Sequence, residues 1–147
     1  MRPAMQFVDY TLKLLGFTEA LRRLQNAFGE VDDRRRDKIA RYAEEIAGTL
    51  ARAAEAYERL DKDATDKAAQ RIAIREFARL AGYVENILET LDGRVDGRRL
   101  AGLKRRLEGL ASEGLITESL KRVDSARIER LMATEGYFRA LADGLRA

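Results

Sequence analysis

Residues 39–60, IARYAEEIAGTLARAAEAYERL, decide the fold. Ile39, Ala43, Ile46, Leu50, Ala53, Tyr57 and Leu60 follow one another at alternating steps of four and three. Side chains so spaced lie along one stripe of an α-helix, with the charged residues between them on the opposite face. Working back toward the amino terminus, Phe7, Tyr10, Leu14, Phe17, Leu21, Leu24 and Phe28 keep the same rhythm up to Gly29, where a helix is expected to stop. The polar stretch Glu30–Asp33 separates the two helices, with Asp32 or Asp33 as the N-cap of the second.

Forward of the opening stripe, the charged turn 61–66 offers Thr65 or Asp66 as a cap for a third helix running to Leu91. Its stripe is Ala73, Phe77, Leu80, Val84, Ile87 and Leu91, and a second line, Ile74, Ala78, Ala81 and Leu88, widens the apolar face. That width places the third helix near the middle of the assembly. Glycines then crowd the sequence: Gly93, Gly97, Gly102, Gly109 and Gly114. A shorter helix of about 14 residues fits between Gly97 and Ser112 on Leu100, Leu103, Leu107 and Leu110. Its internal glycine weakens it by roughly 0.5–1 kcal/mol relative to alanine. The last segment runs from Thr117 to Leu145, with a kink or break expected near Asp124–Ser125, where the phase of the apolar residues changes. The expected architecture is all-α: one domain over residues 1–147, an elongated antiparallel bundle of about five helices.

Composition narrows the chemistry. The chain has no cysteine and no histidine, which removes disulfides, thiolate nucleophiles, the commonest general base and histidine phosphotransfer. No nucleophile–base pair and no glycine-rich phosphate loop stands in their place. Catalysis, a cofactor and a metal site are therefore not expected. No apolar run reaches the roughly 18–20 residues of a membrane span. Met1-Arg2-Pro3-Ala4-Met5 leads into an amphipathic stretch instead of a signal segment, so the cytoplasm is the expected compartment.

The net charge is only +3, but its distribution is uneven. Arg94, Arg98, Arg99, Lys104, Arg105 and Arg106 face a lone Asp96, a local balance of +5 that exceeds that of the whole chain. These cations flank the leucines of the short helix, and they are the candidate contact for an anionic partner: nucleic-acid phosphates, an acidic lipid surface or an acidic protein face. The alternative is a solvated face balanced by acidic neighbours in the fold. A second cluster, Arg34, Arg35, Arg36, Lys38 and Arg41, is diluted by Asp32, Asp33 and Asp37 and reads as a solvated helix start. The aromatic residues Tyr10, Tyr57, Phe77 and Phe138 fall on apolar stripes, so base stacking is not expected, and nucleic acid would be met through phosphates without sequence preference.

Two carboxylate pairs, Glu55 with Glu58 and Glu89 with Asp92, have the E-x-x-E and E-x-x-D spacing that can hold magnesium between antiparallel helices. In these four residues the chain resembles the all-α nucleotide pyrophosphatases. Against the stripe of Ala53, Tyr57 and Leu60, however, Glu55 and Glu58 point away from the core. In outline, five helices with a shorter basic fourth resemble the HeLo-type bundles of cell-death effectors, which implies action at a membrane surface. The same outline is similar to the small helical subunits of CRISPR effector complexes, which implies contact with nucleic-acid backbone. The leading expectation is a non-enzymatic interaction module that docks on a protein partner or on its own copies.

Overall fold

The computed structural model describes residues 9–147, and over that range the chain is all-α. Six α-helices follow in order: α1 (Tyr10–Leu24), α2 (Asp33–Lys62), α3 (Lys67–Leu91), α4 (Gly97–Leu107), α5 (Glu113–Leu120) and α6 (Ser125–Arg146). Phe7, the first member of the first stripe, lies outside the described residues.

The helix starts are set by side-chain caps. The Asp9 carboxylate accepts from the Thr11 N–H at 2.9 Å, Asp66 from Ala69 at 3.0 Å, Asp96 from Arg98 at 2.9 Å and Asp124 from Arg127 at 2.9 Å. Each satisfies one of the donors that a helix leaves open at its first turn. Asp32 sits at the N-cap of α2, but its carboxylate is drawn to Arg35 at 2.8 Å instead of to the backbone.

Three sequence expectations need adjustment at their boundaries. The first helix ends at Leu24 and tightens into a 3-10 turn, Gln25–Glu30, which tucks Phe28 and Val31 inward before α2 begins. The fourth helix stops at Leu107 because Glu108 is extended and Gly109 takes φ +79°, a turn conformation that only glycine adopts without strain. The last segment is two helices, α5 and α6, separated where Asp124 caps the second; the break falls where the apolar phase changes.

The helix at the centre is α2, not α3. It packs along α3 on one side and α6 on the other. The α2–α3 hairpin is antiparallel, tied by Arg52 to Glu76, Arg59 to Asp66 at 3.0 Å, and the Tyr83 hydroxyl to Glu45 at 3.3 Å. At the far end of α6, Arg146 reaches Asp37 at 3.8 Å and also Glu44. Helix α2 can serve two neighbours because Ala40, Ala43, Ala47, Ala53, Ala54 and Ala56 are all buried and allow close approach. On α3 the second apolar line is only half used: Ala81 and Leu88 are buried, while Ile74 and Ala78 face solvent.

The main core residues are where the stripes placed them. Phe17, Leu21, Ile46, Leu50, Phe77, Leu80, Val84 and Phe138 have no exposed surface. Phe77 joins three helices, with the Tyr10 ring 4.1 Å away and the Tyr57 ring edge-on at 5.7 Å. Burial pushes the phenols of Tyr10 and Tyr57 well above their usual range.

Candidate interface for an anionic partner

Helix α4 is held to the bundle by a narrow seam. Leu100 and Leu103 are buried, Leu107 is half-buried, and Leu110 is buried just beyond the helix. At about 100° per residue, Arg98 and Arg105 lie directly opposite this seam, two turns and about 10 Å apart. Arg99 and Arg106 lie on the flank next to α1. There the Arg106 guanidinium passes 3.7 Å from where a Cβ on Gly16 would stand, so it rests against the backbone of α1. Lys104 occupies the opposite flank, on the rim of a groove that also carries Glu85, Glu89 and Glu108.

All six cations singled out in the sequence are exposed: Arg94, Arg98, Arg99, Lys104, Arg105 and Arg106. Among the described residues none of them takes part in an ion pair. The acidic neighbours of the cluster form no ion pair with the arginines: Glu30 and Asp96 lie near Arg94 and Arg99, and Glu85, Glu89 and Glu108 lie near Lys104. Elsewhere in the fold many arginines do find carboxylates: Arg35, Arg36, Arg59, Arg139 and Arg146 all pair.

The second basic cluster behaves differently. Arg35 and Arg36 pair with Asp32 and Asp33, which leaves Arg34, Lys38 and Arg41 exposed at helical spacing on one face of α2. Arg94 links the two clusters. The Arg35 hydrogen bond holds the Asp32 carboxyl below its usual range, and the charge of Arg94 acts in the same direction from the loop before α4. Arg94 and Arg99 also border a shallow depression of about 490 Å³ with Asn26, Ala27, Glu30 and Asp96. One end of the bundle thus presents positive charge contributed by α2, the α3–α4 loop and α4.

The carboxylate pairs of the sequence do not meet. The α2–α3 register sets Glu58 level with Ala69, whereas Glu89 lies level with Lys38, about 30 Å away along the helices. Among the described residues no group of three or more carboxylates could hold a metal ion. No helix there is long and apolar enough to cross a membrane.

Two charged networks escaped the sequence reading. Glu76 is fully buried on α3, bound to Arg52 of α2 and approached by Arg75 at 3.4 Å and Arg79 at 3.6 Å. A hydrogen bond from Arg79 to Tyr83, followed by the Glu76 charge, pushes the Arg79 guanidinium further up. The signal was present, because Glu76 is three residues from Ala73 and four from Leu80 and so lies on the core stripe. The second network is at the start of α1. Asp9 is buried there and held by Arg127 at 2.6 Å and Arg130 at 3.2 Å, while the Tyr10 N–H donates to Ser119 Oγ at 3.3 Å. Both networks staple helices together.

No family model, curated protein or solved structure matches the chain. The reading of its function therefore rests on the surface just described.

Proposed function

We propose that this protein is a non-enzymatic docking module of the cytoplasm whose α4 face binds an acidic surface of a protein partner. The observation that carries the proposal is the row of exposed guanidinium groups on α4 without ion-pair partners, in a fold where many other arginines are paired. An arginine fork presents several donors in a fixed plane and matches carboxylates in pairs. Unpaired arginines also avoid the loss of an existing intramolecular contact on binding. The long helices α2, α3 and α6 form the rigid body, and α4, held by a few leucines, presents the charge. The absence of histidine and cysteine and the wide separation of the carboxylate pairs support a role without chemistry.

A second reading is favoured by the continuity of Arg34, Lys38 and Arg41 with Arg94 and the α4 arginines, a positive track longer than a single helix. Such a track would suit a phosphate backbone bound without sequence preference. Anionic membrane has less support. Among the described residues the exposed large apolar side chains are Leu12, Ile74 and Met132, and all three lie off α4, where the charge is.

Fluorescence anisotropy of the full chain with a labelled glutamate-rich peptide, duplex DNA, single-stranded DNA and anionic vesicles separates the readings. The proposal expects the acidic peptide to bind at low salt more tightly than either nucleic acid. Preference for nucleic acid, with affinity falling steeply as salt rises, would establish the phosphate reading instead. Binding to none of the four would remove both.

A further inference from the structure

The outward face of α3 has a charge order that its own helix does not favour. Lys67 and Arg71 occupy its first turns, and Glu85, Glu89 and Asp92 its last. Cations at the N-terminal end and carboxylates at the C-terminal end both oppose the helix dipole. The four-residue spacings Lys67–Arg71 and Glu85–Glu89 set like charges side by side, which is also unfavourable on a helix surface. All of these side chains are exposed, and among the described residues neither Lys67, Arg71, Glu85 nor Glu89 takes part in an ion pair. Between the two charged ends lie Ile74, one of the few large apolar side chains left in solvent at 43 % exposure, then exposed Ala78 and Gly82. On an ideal helix Lys67, Arg71, Ile74, Ala78, Gly82, Glu85 and Glu89 fall within about 80° of one another.

This order is its own complement when reversed. Laid antiparallel with Ala78 on the dyad, a second α3 brings Lys67 opposite Glu89, Arg71 opposite Glu85 and Ile74 opposite Gly82. Nothing lies within 4 Å of where a Cβ on Gly82 would stand, so an isoleucine from outside can be received there. The acidic half of the face is also one wall of a groove of about 600 Å³ whose apolar lining includes Ala81, Leu88, Leu107 and Leu110. The aliphatic stems of an incoming Lys67 and Arg71 suit that lining while their charges meet Glu85 and Glu89.

From this charge complementarity we infer that α3 is the contact of a symmetric homodimer, the occupant of each copy's exposed α3 face being the antiparallel α3 of a second copy. A two-fold contact of this kind is self-complementary by construction and closes at two chains. One helix pair is a small interface, so the dimer is concentration-dependent and weakens with salt. The surface is separate from the α4 arginines, and the inference does not depend on what α4 binds.

The test is sedimentation velocity of the full chain over a concentration series, for wild type and two charge variants. Lys67→Glu with Arg71→Glu makes all four pairing positions acidic, and Glu85→Lys with Glu89→Lys makes all four basic. Each variant alone should self-associate at least about tenfold more weakly than wild type, because like charges then oppose each other at both ends. Mixed in equal amounts, the two should form a heterodimer at least as tight as the wild-type dimer. Circular dichroism should be unchanged, which separates loss of the dimer from loss of the fold. A wild type that stays monomeric throughout the series overturns the inference. So does a dimer that survives in both variants, or a mixture that fails to associate.

Discussion

Removing Arg52 should destabilise the protein only while Glu76 is present. Glu76 has no exposed surface, and its carboxylate is held by Arg52 from α2, with Arg75 and Arg79 farther off at 3.4 and 3.6 Å. The three arginine side chains keep 44, 66 and 44 % of their surface in water, so they lose little if the carboxylate disappears. The carboxylate has no such refuge. In Arg52→Ala it stays buried with weaker partners, and the loss of one charge-assisted hydrogen bond costs roughly 1.5–3 kcal/mol. Water reaches the arginine side of the pair, which places the figure near the lower end, about 2 kcal/mol. Glu76→Leu, by contrast, exchanges a buried ion for an apolar side chain of similar volume and should be close to neutral. In the Glu76→Leu background Arg52→Ala should then cost under about 0.5 kcal/mol. Urea unfolding followed by circular dichroism measures all four proteins, with the midpoint moving and the slope constant. The corresponding thermal shift for Arg52→Ala is about 4–8 °C. The Arg52 guanidinium also passes 3.4 Å from where a Cβ on Gly48 would stand, and equal losses from Arg52→Ala in both backgrounds would show that it acts through that packing and not through Glu76.

Other expectations follow from the core, the caps and the phenols. Leu80→Ala, at a site without exposed surface, should cost about 2–5 kcal/mol in the same urea assay; a loss below 1 kcal/mol would remove Leu80 from the core. Asp124→Ala should cost about 1 kcal/mol by uncapping α6 and should raise amide exchange in its first turn, whereas unchanged exchange there would mean the cap is idle. The Tyr10 and Tyr57 phenols ionise far less readily when folded, so their contribution is full below about pH 10, the unfolded value, and is lost as pH rises beyond it. Their tyrosinate absorbance should therefore appear together with alkaline unfolding, and its appearance in the folded protein would contradict their burial. The Asp66 carboxyl is held low by the Ala69 N–H and then by Arg59, so its contribution is full above about pH 4 and fades as pH falls through the lowered folded value. Asp66→Asn should flatten that acid limb.

The stripes made the bundle legible because burial on a helix leaves a direct periodic trace. Phe17, Ile46, Phe77 and Phe138 could be placed in the core one helix at a time. The arrangement of helices was harder to read, because breadth of apolar arc proved a poor guide to position. Ile74 and Ala78 widened α3 on paper and face solvent, while the alanines of α2 hid its two-sided burial behind small side chains. Glu76 lay in phase with the core, but its partner Arg52 is 24 residues away on another helix, so no local pattern joined them. The basic residues of α4 were legible as a cluster. Their lack of ion pairs was not, since it depends on where the fold sets the nearby carboxylates: Glu85, Glu89 and Glu108 line the Lys104 flank, and Glu30 and Asp96 border Arg94 and Arg99 without pairing.

The central claim, that the arginine face of α4 is the binding surface, is tested most directly by reversing its outermost charges. Arg98→Glu with Arg105→Glu leaves Leu100, Leu103 and Leu110 untouched, so α4 should remain docked and the circular dichroism unchanged. Anisotropy with the glutamate-rich peptide at low salt then compares the variant with wild type. The account predicts binding at least about tenfold weaker in the variant, with a shallower dependence on salt. Equal affinity in the two proteins would contradict it and place the contact elsewhere on the bundle.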